Sequence, residues 1–226
     1  NLEDADLVGD WYLFGRMMRL ADARLGSPLL AMSGDVKNMR ATEVRLSPFG
    51  ADVLRRLVER GGIDVGIVVS QPDRPSGRGR GLAPPPVAMA ARELGLELVQ
   101  TEDASAEPPD ADAGIVVAFG QILSAPVLSA PARGSINVHG SILPRYRGAA
   151  PIAWAIMRGE TETGITTFQM DEGMDTGATL LSRALAIGPD ETAGELASRL
   201  APLGADVMME TLDRLDTLTP VPQRHD

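Results

Sequence analysis

An asparagine, a histidine and a later aspartate give this chain side chains that suit a group-transfer reaction. Asn137 and His139 lie in the run NVHGSILPRYRGAAPI, and Asp175 lies in the later run MDEGMDTG. If Asn137 and His139 share a strand, their side chains point to the same face. A carboxylate from a later loop can orient an imidazole and stabilise its cation. The three residue types suit a reaction in which an oxygen gains negative charge while an amine loses a proton.

Each of these residues also has a structural alternative. A carboxamide such as Asn137 can bond the backbone of a neighbouring loop, and a histidine at a strand end can be purely structural. Aspartates in D-x-G loops often only form turns, and the loop holds two of them, Asp171 and Asp175.

Arginines are concentrated in two loops of an acidic chain. The net charge is −10, so the chain as a whole lacks the basic footprint of a nucleic-acid binder. The run VSQPDRPSGRGR and the run following His139 nevertheless hold five arginines: Arg74, Arg78, Arg80, Arg145 and Arg147. The glycines between the first three predict a loop that could order on phosphate contact.

These motifs resemble the formyltransferases that use 10-formyltetrahydrofolate. In that family an N-x-H pair and the second aspartate of D-x-G-x-D-T-G form the catalytic trio, which implies catalytic roles for Asn137, His139 and Asp175. The Q-P-D-R-P-x-G-R-G-R loop is similar to methionyl-tRNA formyltransferases, where it lies near the acceptor end of the tRNA. The resemblance covers roughly residues 44 to 222 and the catalytic domain only.

The resemblance also implies binding residues. The run FGQIL is similar to the family's folate-facing loop, with core packing as the alternative for its last two residues, and SILP lines the site. Asp171 is expected to shape its loop. The implied folate-binding residues are Phe119, Gly120, Gln121, Ile122, Leu123, Ser141, Ile142, Leu143, Pro144 and Asp171, and the implied tRNA-binding residues are Arg74, Arg78, Arg80 and Arg145. No metal is implied.

Three departures from the family pattern bear on activity. Leu46 meets Ser47 directly, where the family has an intervening Gly-Thr pair. The polar segment EDASAEPPDAD over Glu102–Asp112 is short where the family usually has a helix. The sequence ends about where the family has a linker to a second, β-rich domain that helps hold tRNA. We therefore expect either a fragment or a single-domain enzyme.

Composition fits a cytoplasmic enzyme with one main core. The 226 residues are 44% hydrophobic and include no cysteine, which excludes disulfides and thiolate metal sites. The apolar stretch over 11–20 is too short for a membrane span and lacks the basic start of a signal peptide. We expect a monomer without membrane association, with initiator methionyl-tRNA and the folate as partners.

Hydrophobic patterning predicts alternating strands and helices. Such alternation indicates an α/β fold with a mainly parallel twisted sheet and helices on both faces, similar to the Rossmann-like formyltransferase fold. His139 ends a predicted strand, where ligands bind in such sheets. We predict an extension of unknown role over 1–40, a catalytic domain over 41–216 and a truncated linker or tail over 217–226. The predicted strands are Thr42–Leu46, Ile63–Ser70, Leu96–Gln100, Gly114–Ala118, Gly134–His139, Gly164–Met170 and Ala178–Ile187, and the predicted helices are Ala51–Arg60, Pro86–Leu94, Ala150–Arg158 and Thr192–Leu215.

Two other functions stay open from the sequence. One keeps the chemistry and changes the acceptor to an amino sugar or glycinamide ribonucleotide, with a formate-releasing hydrolase as a further enzyme variant. The other is a non-catalytic, folate-binding remnant. The Q-P-D-R-P loop favours a tRNA acceptor, and the departures from the family pattern favour the others.

Overall fold

The computed structural model describes residues 49–60, 63–76, 81–102, 111–117 and 123–224. The predicted first strand over Thr42–Leu46 and the predicted extension over 1–40 lie outside the described residues, as does most of the polar segment over Glu102–Asp112.

Five helices and eight strands alternate within the described ranges. None of these helices is long and apolar enough to cross a membrane. The helices are α1 (Phe49–Arg60), α2 (Pro86–Glu93), α3 (Ala125–Ser129), α4 (Pro151–Met157) and α5 (Ala193–Asp213), and the strands are β1 (Val68–Ser70), β2 (Arg74–Ser76), β3 (Gly81–Ala83), β4 (Leu98–Gln100), β5 (Gly114–Val117), β6 (Ser135–His139), β7 (Glu162–Gln169) and β8 (Thr179–Ala186).

Local sequence accounts for where several helices begin. Proline stands in the first turn of α2, α3 and α4, where its missing N–H would have no helical partner. Helix α5 begins at a capping box: the Glu195 N–H donates to Thr192 Oγ1, and the Thr192 N–H donates to Glu195 Oε2.

The strand pairings confirm the α/β fold class and include antiparallel neighbours. β1 pairs with β4 in parallel, and β5 pairs with β6 in parallel. β2 and β3 form a separate antiparallel pair. β7 and β8 extend the β5–β6 pair as antiparallel neighbours, in the order β5-β6-β7-β8. β7 runs antiparallel to β6 because α4 does not return the chain to the edge of the sheet where β6 starts. β7 therefore begins beyond the carboxyl end of β6, with His139 opposite Thr166.

One predicted strand is too long. Only Val68–Ser70 of the predicted Ile63–Ser70 strand pairs with a neighbour. Ile63, Val65 and Ile67 are apolar and partly buried, but residues 63–67 have no strand partner in the described part of the chain.

Apolar side chains cover both faces of the strands. Ile136 and Val138 of β6 belong to the main core, which packs against α1 and α5. Val116 of β5 belongs to a second, smaller cluster that includes Val127 and Leu128 of α3. Because side chains alternate along a strand, Asn137 and His139 lie on the face opposite the main core. The fold thus places both at the end of a buried strand, away from α1 and α5.

Candidate active site

Strand β6 fixes the positions of Asn137 and His139. Asn137 is paired with Val116 on one side and with Phe168 on the other. The Asn137 residue is only 8% exposed, yet its carboxamide has no hydrogen-bond partner among the residues that the structure describes. A nearly buried amide without a partner costs free energy, and no described residue competes with a ligand for this one.

The His139 imidazole lies between a carboxylate and a carbonyl. Its Nδ1 is 3.5 Å from Asp175 Oδ2, and the two side chains are 8% and 17% exposed. Its Nε2 is 2.8 Å from the backbone oxygen of Tyr146. Since a carbonyl can only accept, Nε2 holds the hydrogen and donates it. Nδ1 therefore faces the Asp175 carboxylate.

Asp175 is held in an unusual backbone conformation. Its φ is 52°, in the left-handed region that non-glycine residues seldom adopt. The N–H of Gly148, itself at φ 82°, donates to Asp175 Oδ2 over 2.7 Å. Asp175 Oδ2 thus contacts both Gly148, in the loop after β6, and the imidazole of His139, at the carboxyl end of β6.

The other aspartate of the motif shapes the loop. Asp171 Oδ1 accepts hydrogen bonds from the Gly173 N–H and the Thr176 hydroxyl, at 3.0 and 2.7 Å. Gly177 is needed for close approach, because a Cβ there would lie 1.8 Å from the Gln169 carbonyl oxygen. These contacts give physical reasons for the residue types in D-x-G-x-D-T-G.

Buried Thr166 of β7 organises the SILP segment. Its hydroxyl donates to the Ser141 carbonyl oxygen over 2.7 Å and accepts from the Leu143 N–H over 3.1 Å. The Ser141 hydroxyl in turn donates to the Arg145 carbonyl oxygen over 2.5 Å. Thr166 was not predicted as a site residue, because it looks like an ordinary β-branched strand residue and belongs to no motif.

Arg145 and Tyr146 share one carboxylate. Glu160 forms an ion pair with Arg145 and accepts a hydrogen bond from the Tyr146 hydroxyl. The hydrogen bond from Arg145, and then that from Tyr146, lower the pKa of Glu160. Burial, and then the bond to Glu160, raise the pKa of Tyr146. This network holds the residue whose carbonyl accepts from His139.

The remaining predicted site residues are only partly described. Phe119, Gly120, Gln121 and Ile122 lie outside the described residues, as do Arg78 and Arg80. Leu123 is buried in the second apolar cluster, in line with the core-packing alternative. Arg74 lies in β2, opposite Ala83 of β3, and its side chain is not described. Arg145 is 58% exposed but engaged with Glu160.

An open cleft adjoins the Asp171 loop. It has a volume of about 600 Å³ and is lined by residues of α3 and by the segment Gln169–Gly173. Asn137, His139 and Asp175 do not line it. Within the described ranges no three carboxylate or imidazole side chains come together to form a metal site.

Comparison with known proteins assigns the family. Residues 46–212 match the formyl transferase family. A methionyl-tRNA formyltransferase from Geobacter metallireducens is 51% identical over 185 residues, which cover 79% of this chain and 59% of the relative. The chain thus spans well under two thirds of that relative's length.

Solved structures agree on the fold. Glycinamide ribonucleotide transformylase 1 from Symbiobacterium toebii superposes with a TM-score of 0.60 at 18% identity, covering 76% of this chain and 89% of that one. The formyltransferase PseJ from Anoxybacillus kamchatkensis, in complex with UDP-4,6-dideoxy-4-formamido-L-AltNAc and tetrahydrofolate, gives 0.50 at 25% identity over 60% of this chain and 74% of that one. With the matched region extending from before α1 almost to the end of α5, this chain belongs to the formyl transferase family.

Proposed function

We propose that this chain transfers a formyl group from 10-formyltetrahydrofolate to the α-amine of methionyl-tRNA. The family match and the 51% identity to a methionyl-tRNA formyltransferase support this assignment. The observation that carries it is the meeting of His139 and Asp175 beside the Asn137 carboxamide, which has no hydrogen-bond partner among the described residues.

The three side chains divide the chemistry. Asn137 donates its side-chain N–H to the oxygen of the transferred formyl group, and one preorganised donor of this kind contributes about 3 to 4 kcal/mol. His139 Nδ1 and Asp175 together hold the proton that leaves the amine. Because Nε2 already donates to Tyr146, Asn137 is the main donor to the formyl oxygen in this arrangement.

The reaction balances without an added oxidant or reductant. The amine nitrogen forms a bond to the formyl carbon, and the bond from that carbon to N10 of the folate breaks. The amine gives up one proton, which Asp175 and His139 hold, and the departing folate nitrogen takes one proton back. The products are the formylated amine and tetrahydrofolate.

The folate co-substrate fits the donor set of the site. When bound, it supplies an electrophilic formyl carbon with a carbonyl oxygen, and Asn137 offers the hydrogen-bond donor that such an oxygen requires. Leu143 is buried beside Ile142 in the segment that Thr166 fixes, which supplies apolar surface. We also assign folate contacts to Phe119, Gly120, Gln121 and Ile122, and no metal takes part in the proposed reaction.

Direct assay tests the assignment and its alternatives. Purified protein is supplied with 10-formyltetrahydrofolate and, separately, with methionyl-tRNA, a nucleotide-linked amino sugar, glycinamide ribonucleotide or no acceptor. We expect formylmethionyl-tRNA as the main product. Selective formylation of either small acceptor would replace the proposed substrate, and formate release without an acceptor would indicate a hydrolase. Folate binding without any product would indicate a non-catalytic protein.

A further inference from the structure

The segment after α5 runs back along the sheet to the active site. Thr179 of β8 and Val221 exchange both backbone hydrogen bonds, at 2.9 and 2.8 Å, in an isolated antiparallel bridge. This bridge brings Gln223, two residues further on, to a position where it is only 9% exposed. A polar side chain this buried needs hydrogen-bond partners.

The Gln223 carboxamide forms three hydrogen bonds, using both of its donors and its acceptor oxygen. Its Nε2 donates to the carbonyl oxygens of Asp175 and Gly177, at 2.9 and 2.7 Å. Its Oε1 accepts from Arg147 Nε at 2.9 Å. Arg147 Nη2 also donates to the Arg224 carbonyl oxygen at 3.1 Å. One side chain therefore joins the loop that follows β6 to the loop that holds Asp175.

These bonds surround the contact on which the catalytic geometry depends. Asp175 has a left-handed backbone, which is stable only when its surroundings hold it in place. Gln223 binds its carbonyl and that of Gly177, and so fixes the backbone on the carboxyl side of the aspartate. Gln223 also holds Arg147, the residue that precedes Gly148 in the chain. The Gly148 N–H in turn binds the Asp175 carboxylate.

We propose that Gln223 is a positioning residue that holds the Asp175 carboxylate against Gly148 and His139 without touching either substrate. The expected fall in kcat rests on the proposed formyl transfer. The expected change in amide exchange at Gly148 rests on the hydrogen bonds alone. The positioning role gives the tail beyond α5, predicted from the sequence as linker, a part in the catalytic domain.

Two substitutions separate this role from simple docking of the tail. Gln223→Glu keeps an acceptor for Arg147 but cannot donate to the two carbonyl oxygens, and Gln223→Ala removes all three bonds. Val221→Ala is the matched control, because that side chain is exposed and Val221 binds Thr179 through its own backbone N–H and carbonyl oxygen. Amide hydrogen exchange is measured at Gly148, Thr179 and Val221 in the full chain, together with kcat and KM for the folate.

We expect exchange at the Gly148 amide to rise at least tenfold in both Gln223 variants, while the Thr179 and Val221 amides stay protected. Since a small misplacement of a catalytic group lowers rates strongly, kcat should fall roughly 10- to 100-fold with the folate KM within about twofold. Asp175→Ala supplies the exchange rate of an unbound Gly148 amide.

Unchanged Gly148 exchange in both variants would overturn the proposal. So would equal loss of protection at Gly148 and Thr179 in both, because Gln223 would then only dock the tail. If the exchange result appears as expected but the unaltered protein transfers no formyl group to any acceptor, the proposed function fails while the positioning role stands.

Discussion

At the scale of single residues, the reactive trio depends on partners that belong to the backbone. Tyr146 supplies a carbonyl to His139, and Gly148 supplies an N–H to Asp175. These contacts fix which nitrogen of the imidazole faces the carboxylate. We therefore predict that the three side chains of the proposed trio act as a unit, since displacing one member changes the surroundings of the others.

Kinetics of alanine variants test this unit. We expect Asn137→Ala, His139→Ala and Asp175→Ala each to lower kcat far more than they raise the folate KM, because each group acts mainly as the reaction proceeds. The double variant His139→Ala/Asp175→Ala should lose little more than the worse single variant. A double variant that loses the product of the two single losses would contradict the unit, and full activity in His139→Ala would remove its catalytic role.

Glu160 predicts an acid-dependent contribution to stability. Its pKa is lowered in the folded protein by Arg145 and Tyr146, so its stabilising effect is present above the unfolded value of about 4.3 and is lost as pH falls through the lower folded value. Glu160→Gln should therefore lower Tm at pH 7, and the difference should close as the pH is reduced below about 4. Thermal unfolding across this pH range measures it.

The matched control for that experiment is Glu162→Gln. Glu162 is exposed on β7 and forms no ion pair among the described residues. Its Tm difference from the unaltered protein should be small at every pH. If the Tm difference between Glu160→Gln and the unaltered protein grows on acidification, the stated direction of the Glu160 pKa shift is wrong.

At the scale of elements, the sequence predicted most helices and strands because their patterns are local. The capping box at Thr192 and the prolines of α2 and α4 are readable signals, and the apolar run of β5 is readable as a buried strand. The short helix α3 and the strands β2 and β3 were not predicted. The shortening of the predicted strand before Ser70 and the antiparallel direction of β7 were not readable, since both depend on which neighbour is available for pairing.

The residues of the candidate site also fall into two groups, those that motifs identify and those that only the fold brings together. Asn137, His139 and Asp175 stand out in motifs, and the structure brings the last two together. Thr166 and Gln223 act through contacts with residues distant in the chain, at separations of 25 and 48 residues in two of their hydrogen bonds. No periodicity or spacing rule points to such pairs, so a single sequence leaves them unrecognised.

The β2–β3 hairpin is anchored by one side chain of β4. Gln100 Nε2 donates to Asp73 Oδ1 and to the Gln71 carbonyl oxygen, at 2.9 and 3.0 Å, and its Oε1 accepts from Arg92. We expect Gln100→Ala to loosen the base of the hairpin. If the hairpin contacts the acceptor, KM for methionyl-tRNA should rise several-fold with kcat and the folate KM nearly unchanged.

A control on the same strand is Val99→Ala, because Val99 is exposed and makes only backbone pairing with β1. It should leave KM for methionyl-tRNA near that of the unaltered protein. Equal effects of the two substitutions, or an effect of Gln100→Ala on the folate KM alone, would separate the hairpin from acceptor binding.

At the scale of the whole molecule, positive charge is concentrated in two loops although the net charge is negative. The chain has a net charge of −10, while five arginines occur in the two motif loops. Arg145 and Arg147 are already engaged with Glu160 and Gln223. We expect binding of RNA by this chain to be local and electrostatic, through the arginines of the Q-P-D-R-P loop.

Salt dependence tests that distribution. We expect measurable but weak formylation of methionyl-tRNA, with kcat/KM falling as salt rises because counterions are released from the RNA on binding. Arg74→Ala or Arg78→Ala should each reduce the log–log salt slope by about 0.7 to 0.9 for a lost phosphate contact, with folate binding unchanged. Arg214→Ala removes the same charge from the end of α5, where the arginine pairs with Glu210, and should leave the slope unaltered. A slope near zero that neither hairpin substitution changes would place acceptor binding elsewhere and would favour a small acceptor that the arginines do not touch.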